Sequence, residues 1–100
     1  MSQVILFVNY LFRLRRNRTM SQKRLAYLVG TSVRAISYYE RGRRLPPLKM
    51  AMLLEIVLSA NVSEIYVGLS KELCQQVVTR EDTLPAGSDH EIRKRLLGKD

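Results

Sequence analysis

Residues 21–42 read SQKRLAYLVGTSVRAISYYERG, and this stretch decides the fold. A serine that can cap a helix precedes a short helical segment over Gln22–Val29. Gly30 ends that segment, because helix C-termini favour glycine. A second helix follows over residues 32–41, with Thr31 or Ser32 as its cap. Two short helices joined by a tight, glycine-containing turn are typical of a helix-turn-helix, in which one helix braces the other in a groove.

The apolar residues of this stretch are spaced to hold both helices on one core. Leu25 and Leu28 are expected to point inward from the first helix. Ala26 is small and stands where the two helices must approach closely. Ile36 is the apolar anchor that holds the second helix on the core.

The side chains left on the outer face of the second helix offer hydrogen-bond donors, acceptors and methyl groups. Arginine donates to guanine, serine bonds several base edges, and valine or tyrosine contacts the thymine methyl. The predicted base-reading residues are Ser32, Val33, Arg34, Ser37 and Tyr38. Side chains around this face are suited to phosphates. The predicted phosphate-binding residues are Gln22, Lys23, Arg41, Arg43 and Arg44.

The charge of the chain is concentrated in one half. The chain has 100 residues, a net charge of +8 and one cysteine. Residues 1–44 contain ten Lys or Arg and one acid, Glu40, whereas residues 45–100 contain seven bases and eight acids. Solubilising surfaces usually mix the two signs. A localised positive excess therefore indicates a polyanionic partner.

The segments on either side of residues 21–42 also read as helices. Ser2 can cap a first helix with inward-facing apolar residues, Pro47 can open a fourth helix that runs to about Ser59, and Ser63 can cap a fifth. That fifth helix is expected either to continue through Val77 or to break near Gly68. Residues 83–88 form a loop before a final helix, Glu91–Leu97. We predict a DNA-binding domain over residues 1–69 and a C-terminal extension, partly helical or disordered, over 70–100.

Several apolar residues exceed what one core needs and are predicted to contact a second subunit or another protein. These residues are Val4, Val8, Phe12, Tyr66 and Leu69. In a helical N-terminus the first three form a second stripe beside the core-facing stripe. Exposed apolar patches of this kind mark interaction surfaces.

The spacing of these features resembles the Cro/C1-type helix-turn-helix family of phage repressors and bacterial regulators, the XRE family. The positions that carry the resemblance are Arg15, Ser21-Gln22, Leu25-Ala26, Gly30, Ile36, Glu40, Gly42 and Pro46 or Pro47. They extend over about residues 11–66. The resemblance implies an all-α, five-helix, lambda-repressor-like domain that binds double-stranded DNA with its third helix, usually as a homodimer on a two-fold-related site. It also implies a buried ion pair between Arg15 and Glu40.

These features favour a transcriptional regulator, with an alternative role left open. The alternative is an antitoxin or anti-activator whose main task is to bind a partner protein and whose DNA binding serves autoregulation.

No set of residues suits catalysis, a metal or a cofactor, so we expect neither an enzyme nor a bound group. The apolar run Val4–Leu14 is too short to span a membrane and lacks a signal-peptide pattern. We expect a cytoplasmic, nucleoid-associated protein.

Overall fold

A computed structural model describes residues 8–97, and every regular element in that range is an α-helix. The helices are α1 (Leu11–Asn17), α2 (Gln22–Val29), α3 (Val33–Glu40), α4 (Leu48–Leu58), α5 (Val62–Ile65), α6 (Val67–Asp82) and α7 (Glu91–Leu97). The architecture confirms the predicted all-α class. The chain divides into two compact units, Met1–Leu69 and Ser70–Asp100. Ser2 and Val4, for which a helix cap and a partner contact were predicted, lie outside the described residues.

Serine caps begin both α2 and α3: Ser21 is the predicted cap of α2, and of the two candidates for α3 the cap is Ser32, not Thr31. Oγ of Ser21 accepts a hydrogen bond from the backbone N–H of Arg24 at 3.0 Å, and Oγ of Ser32 accepts one from Ala35 at 3.0 Å. Each bond satisfies one of the backbone N–H groups that the start of a helix leaves without an intrahelical partner. The local sequence therefore sets where both helices begin.

The buried side of α2 differs from the expectation at one residue. Leu25, Ala26 and Val29 are buried, whereas 44% of Leu28 is exposed, so the inward placement of Leu28 is wrong. At 3.6 residues per turn, Leu25 and Val29 lie one above the other, with Ala26 beside them. The stripe that these three residues form turns Leu28 toward solvent.

The remaining helices of the first unit close its core. The largest fully buried side chains there are Leu11, Leu25, Ile36, Leu54, Leu58 and Ile65. Asn61 caps α5, not the predicted Ser63, because the Glu64 carboxylate accepts the backbone N–H of Asn61 at 2.9 Å in a capping box. The helical path breaks at Tyr66, just before the predicted position at Gly68.

The second unit is a helical hairpin organised by two neighbouring acids. The buried carboxylate of Glu81 accepts the backbone N–H groups of Ile92 and Arg93 at 2.7 and 2.8 Å, which caps the start of α7. The neighbouring Asp82 pairs with the Arg93 guanidinium at 2.7 Å, and this hydrogen bond lowers the pKa of Asp82. Residues 70–97 thus contain most of α6 and all of α7.

The side chain of Tyr66 places a polar hydroxyl in the core of the first unit. Its hydroxyl is buried and has no hydrogen-bond partner among the described residues, and burial raises its pKa to about 12. We expect Tyr66→Phe to keep or slightly raise the free energy of unfolding at pH 7, since an unpartnered buried hydroxyl costs about 1–3 kcal/mol. Urea unfolding measures this change, and Tyr27→Phe at an exposed position is the control.

We also expect Tyr66→Phe to change how the free energy of unfolding depends on pH. The unfolded Tyr66 loses its proton near its ordinary pKa of 10, whereas the folded one holds it to about 12. Stability therefore falls as the pH rises from 10 to 12. In Tyr66→Phe this loss should be smaller than in wild type. An equal loss in both proteins, or a large loss at pH 7, contradicts the assignment.

Candidate nucleic-acid interface

The turn between α2 and α3 depends on the backbone conformation of Gly30. Gly30 has a φ of +75°, a left-handed conformation that strains residues with a Cβ. This conformation lets the next N–H, that of Thr31, donate to the carbonyl of Ala26 at 2.9 Å. The chain thus leaves α2 and enters α3 within three residues.

One side of α3 is held by the core and the other side is open. Ala35, Ile36 and Tyr39 are buried. On the other side, Ser32, Val33 and Arg34 are exposed, and Ser37 and Tyr38 are half-buried. The five residues predicted to read bases therefore lie away from the buried stripe, at its start and along its flank. The cap bond occupies the hydroxyl oxygen of Ser32 as an acceptor, while its proton can still be donated.

A buried ion pair connects the end of α3 to α1. Arg15 Nε donates to Glu40 Oε2 at 2.5 Å, and Arg15 Nη2 donates to Glu40 Oε1 at 3.2 Å. The two side chains are only 7% and 4% exposed. Arg15 also donates from Nη1 to the carbonyl of Met20 at 2.7 Å, and Gln22 Nε2 donates to Glu40 Oε1 at 2.9 Å. This network holds the last turn of α1, the start of α2 and the end of α3 together.

Gln22, which is predicted to contact a phosphate, also belongs to the network around the buried ion pair. Its amide nitrogen carries two hydrogens, and one of them is directed at Glu40. No residue in the range 8–97 uses the other hydrogen or the amide oxygen. Its place at the first position of α2, beside the buried network, sets where a phosphate contact from this residue would lie.

The phenol of Tyr38 lies near two arginines, Arg34 on α3 and Arg41 directly after that helix. Arg34 Nε donates to the Tyr38 hydroxyl at 3.0 Å, and the Arg34 guanidinium carbon is 5.5 Å from the ring centroid. The guanidinium carbon of Arg41 is 5.6 Å from the same centroid. The hydrogen bond from Arg34 and its positive charge lower the pKa of Tyr38, with smaller contributions from Arg41 and Arg43.

The cations predicted to bind phosphates surround this face. Lys23, Arg41, Arg43 and Arg44 are exposed, and none of them forms an ion pair with a residue in the described range. Glu40, the acid closest to them in sequence, is already engaged by Arg15. The positive charge of this surface is therefore not neutralised from within residues 8–97.

The residues predicted to contact a partner separate into two groups. Val8 and Phe12 are exposed, so their side chains can be covered by another molecule. Tyr66 belongs to the core and Leu69 packs against it, so burial in the fold, rather than a contact with a partner, accounts for both. Their periodicity cannot distinguish a core-facing position from a surface contact.

Sequence analysis missed an apolar stripe on α4. Leu48, Met52 and Ile56 are 78%, 56% and 72% exposed. Their spacing of four residues places them on one face of the helix. Because α4 contains only two charged residues, Lys49 and Glu55, its sequence does not distinguish the buried side from the exposed side. The largely apolar composition of α4 was the signal that could have revealed the stripe.

Comparison with known families identifies one match. The family model described as helix-turn-helix, of the Cro/C1 type, matches residues 11–65. Those residues contain α1 to α5, including the turn at Gly30 and the buried pair of Arg15 and Glu40. No curated protein matches the sequence significantly. None of the helices in the described range is long and apolar enough to cross a membrane.

We expect breaking the buried ion pair to cost much more stability than replacing the neighbouring, exposed Arg16. Glu40→Gln leaves the Arg15 charge buried without its counter-ion, and we expect a loss of about 3–5 kcal/mol in the free energy of unfolding. Arg15→Met strands Glu40 in the same way. In the exposed Arg16→Met control we expect a change within about 0.5 kcal/mol. Urea unfolding followed by circular dichroism compares the variants.

The double variant Arg15→Met/Glu40→Gln measures the coupling between the two side chains. It buries no lone charge, so we expect it to lose less stability than the sum of the Arg15→Met and Glu40→Gln losses. Additive losses would show that the two side chains act independently.

Proposed function

The chain belongs to the Cro/C1-type helix-turn-helix family of DNA-binding regulators, and we propose that it controls transcription by reading a specific operator in the major groove with α3. The observation that carries this proposal is the outer face of α3. It is braced from behind by buried residues, presents a guanidinium and hydroxyls, and is bordered by cations that form no ion pair within residues 8–97. Double-stranded DNA as the ligand implies action at the nucleoid, in the cytoplasm.

Base reading is assigned to the outer face of α3. Arg34 is suited to the N7 and O6 atoms of guanine, and the methyls of Val33 to the thymine methyl. The hydroxyls of Ser32 and Ser37 can donate to or accept from several base edges. Tyr38, the fifth residue of the set, takes part through its contact with Arg34.

Phosphate binding is assigned to the cations around that face. Lys23 and Gln22 stand at the start of α2, where backbone N–H groups also favour an anion. Arg41, Arg43 and Arg44 follow α3 directly and are exposed. Phosphate contacts of this kind fix the register of a protein on DNA but carry no sequence information themselves.

We further propose a homodimer on a pseudo-palindromic operator, with half-sites about one helical turn, roughly 34 Å, apart. The stripe on α4 supports it, because Leu48 and Ile56 are each four residues from Met52. A two-fold axis through Met52 brings Leu48 close to Ile56 of the partner subunit. A surface that complements itself in this way suits an isologous contact.

Two arginines should behave differently in DNA binding. We expect Arg34→Ala to weaken binding to the operator by about 1–3 kcal/mol per base recognised, with little effect on random DNA. Arg43→Ala should weaken both and reduce the dependence of binding on salt, because it removes a phosphate contact. Operator DNA is first selected from a random library with the wild-type protein, and affinities are then measured over a salt series. If both variants bind both DNAs like wild type, the proposal is wrong.

A second candidate function rests on the second unit. Leu73, Val77, Leu84 and Leu96 there are exposed large apolar residues, and all of them lie beyond the family match. These residues favour an antitoxin or anti-activator that binds another protein through residues 70–97. An unrelated stoichiometric partner that purifies with the chain from its native host would favour this function, whereas a homodimer alone would count against it.

The α4 stripe gives a prediction for the oligomeric state. We expect Ile56→Glu to shift the protein from dimer to monomer, because an unpaired charge would be buried at the two-fold contact. Phe12→Glu is the matched variant at the apolar surface of α1. Sedimentation equilibrium measures the mass of each. If Phe12→Glu dissociates the dimer and Ile56→Glu does not, the contact lies on α1.

A further inference from the structure

The contact between Tyr38 and Arg34 determines which nitrogens of Arg34 remain available. Arginine has five N–H donors, one on Nε and four on the two terminal nitrogens. The Nε hydrogen is used in the 3.0 Å bond to the Tyr38 hydroxyl. None of the described residues accepts a hydrogen bond from the terminal nitrogens of Arg34. Its free donors are therefore the four N–H groups on the two terminal nitrogens, at the end of the side chain.

Two parallel donors at the end of a guanidinium match one base. Guanine presents two neighbouring acceptors, N7 and O6, to the major groove, and a bidentate arginine bonds both. Cytosine presents an N–H donor there, and adenine presents one acceptor beside an N–H donor. An Arg34 whose Nε is occupied is thus left with the pair of donors that guanine satisfies best.

The ring of Tyr38 restrains the same arginine. The helical spacing of four residues brings the two side chains together, and the guanidinium lies within the range of a cation–π contact. A free arginine has many rotamers and loses that freedom when it binds a base. An arginine already restrained by a hydrogen bond and a ring loses less, so it binds its target more tightly.

Arg41 contacts the same ring. Its guanidinium carbon lies 5.6 Å from the centroid, and Arg41, the residue directly after α3, stands three residues after Tyr38. The negative face of an aromatic ring attracts both cations and so offsets the repulsion between them. Tyr38 therefore joins the arginine assigned to a base to one assigned to a phosphate.

We propose that Tyr38 is a positioning residue that sets Arg34 to read guanine end-on and contributes to base recognition through Arg34, without a base contact of its own. This inference rests on the proposed function of α3 as the base-reading helix. It names the base at the Arg34 position as guanine.

The test uses the full chain and compares Tyr38→Phe with wild type. Tyr38→Phe keeps the ring and removes the hydroxyl that accepts the Arg34 bond. We expect it to bind the selected operator about three- to tenfold more weakly. We also expect it to lose discrimination at the one base position that Arg34→Ala leaves unread. Tyr27→Phe, at an exposed tyrosine on α2, is the matched control.

The double variant Arg34→Ala/Tyr38→Phe distinguishes positioning from direct reading. If Tyr38 acts through Arg34, the double variant binds no more weakly than Arg34→Ala. A further loss at a different base position would show that Tyr38 contacts a base itself and would overturn the proposal. So would a Tyr38→Phe variant that discriminates like wild type.

Titration of the phenol checks the contact without DNA. Absorbance at 295 nm follows the ionisation of tyrosines, and the difference between wild type and Tyr38→Phe isolates Tyr38. We expect its pKa to lie below 10 and to rise in Arg34→Ala. An unchanged pKa in that variant overturns the positioning role. If the titration shows the contact between Arg34 and Tyr38 but the protein prefers no DNA sequence, the proposed base-reading function has failed. The positioning role then fails with it.

Discussion

The buried ion pair between Arg15 and Glu40 connects the three helices on which the recognition surface depends. Its charges are almost fully removed from solvent, and a buried charge is stable only when it is paired and hydrogen-bonded. Gln22 and the carbonyl of Met20 supply the further hydrogen bonds. Because the pair holds the end of α3 against α1 and the start of α2, it also fixes the direction in which the outer face of α3 points.

The same pair shapes the electrostatics of the surface. Glu40 is the one acid among the first 44 residues, and the fold uses it internally. The exposed cations around α3 therefore keep their charge for an external anion. Within this surface the neutral ring of Tyr38 contacts Arg34 and Arg41, so the like charges are organised by an aromatic group instead of an acid.

The features of the fold that follow from short-range rules could be predicted from sequence. The caps at Ser21 and Ser32 and the turn at Gly30 act within four residues, and all three are present. The errors arose where two local solutions compete. Asn61 and Ser63 can both cap a helix, and the capping box with Glu64 decides for Asn61. These choices depend on contacts that periodicity does not record.

The sequence by itself determined the helix-turn-helix, the half of the chain that carries positive charge and the chemical types on the outer face of α3. Only the tertiary structure decided that Tyr66 lies in the core and that one side of α4 is left uncovered. It also decided that Tyr38 accepts a hydrogen bond from Arg34. The physical reason is the range of the forces involved. Caps and turns are satisfied by neighbours in sequence, whereas the covering of an apolar face depends on helices that are distant in sequence. The orientation of the Arg34 guanidinium depends on the rotamer that its side chain adopts in the folded chain.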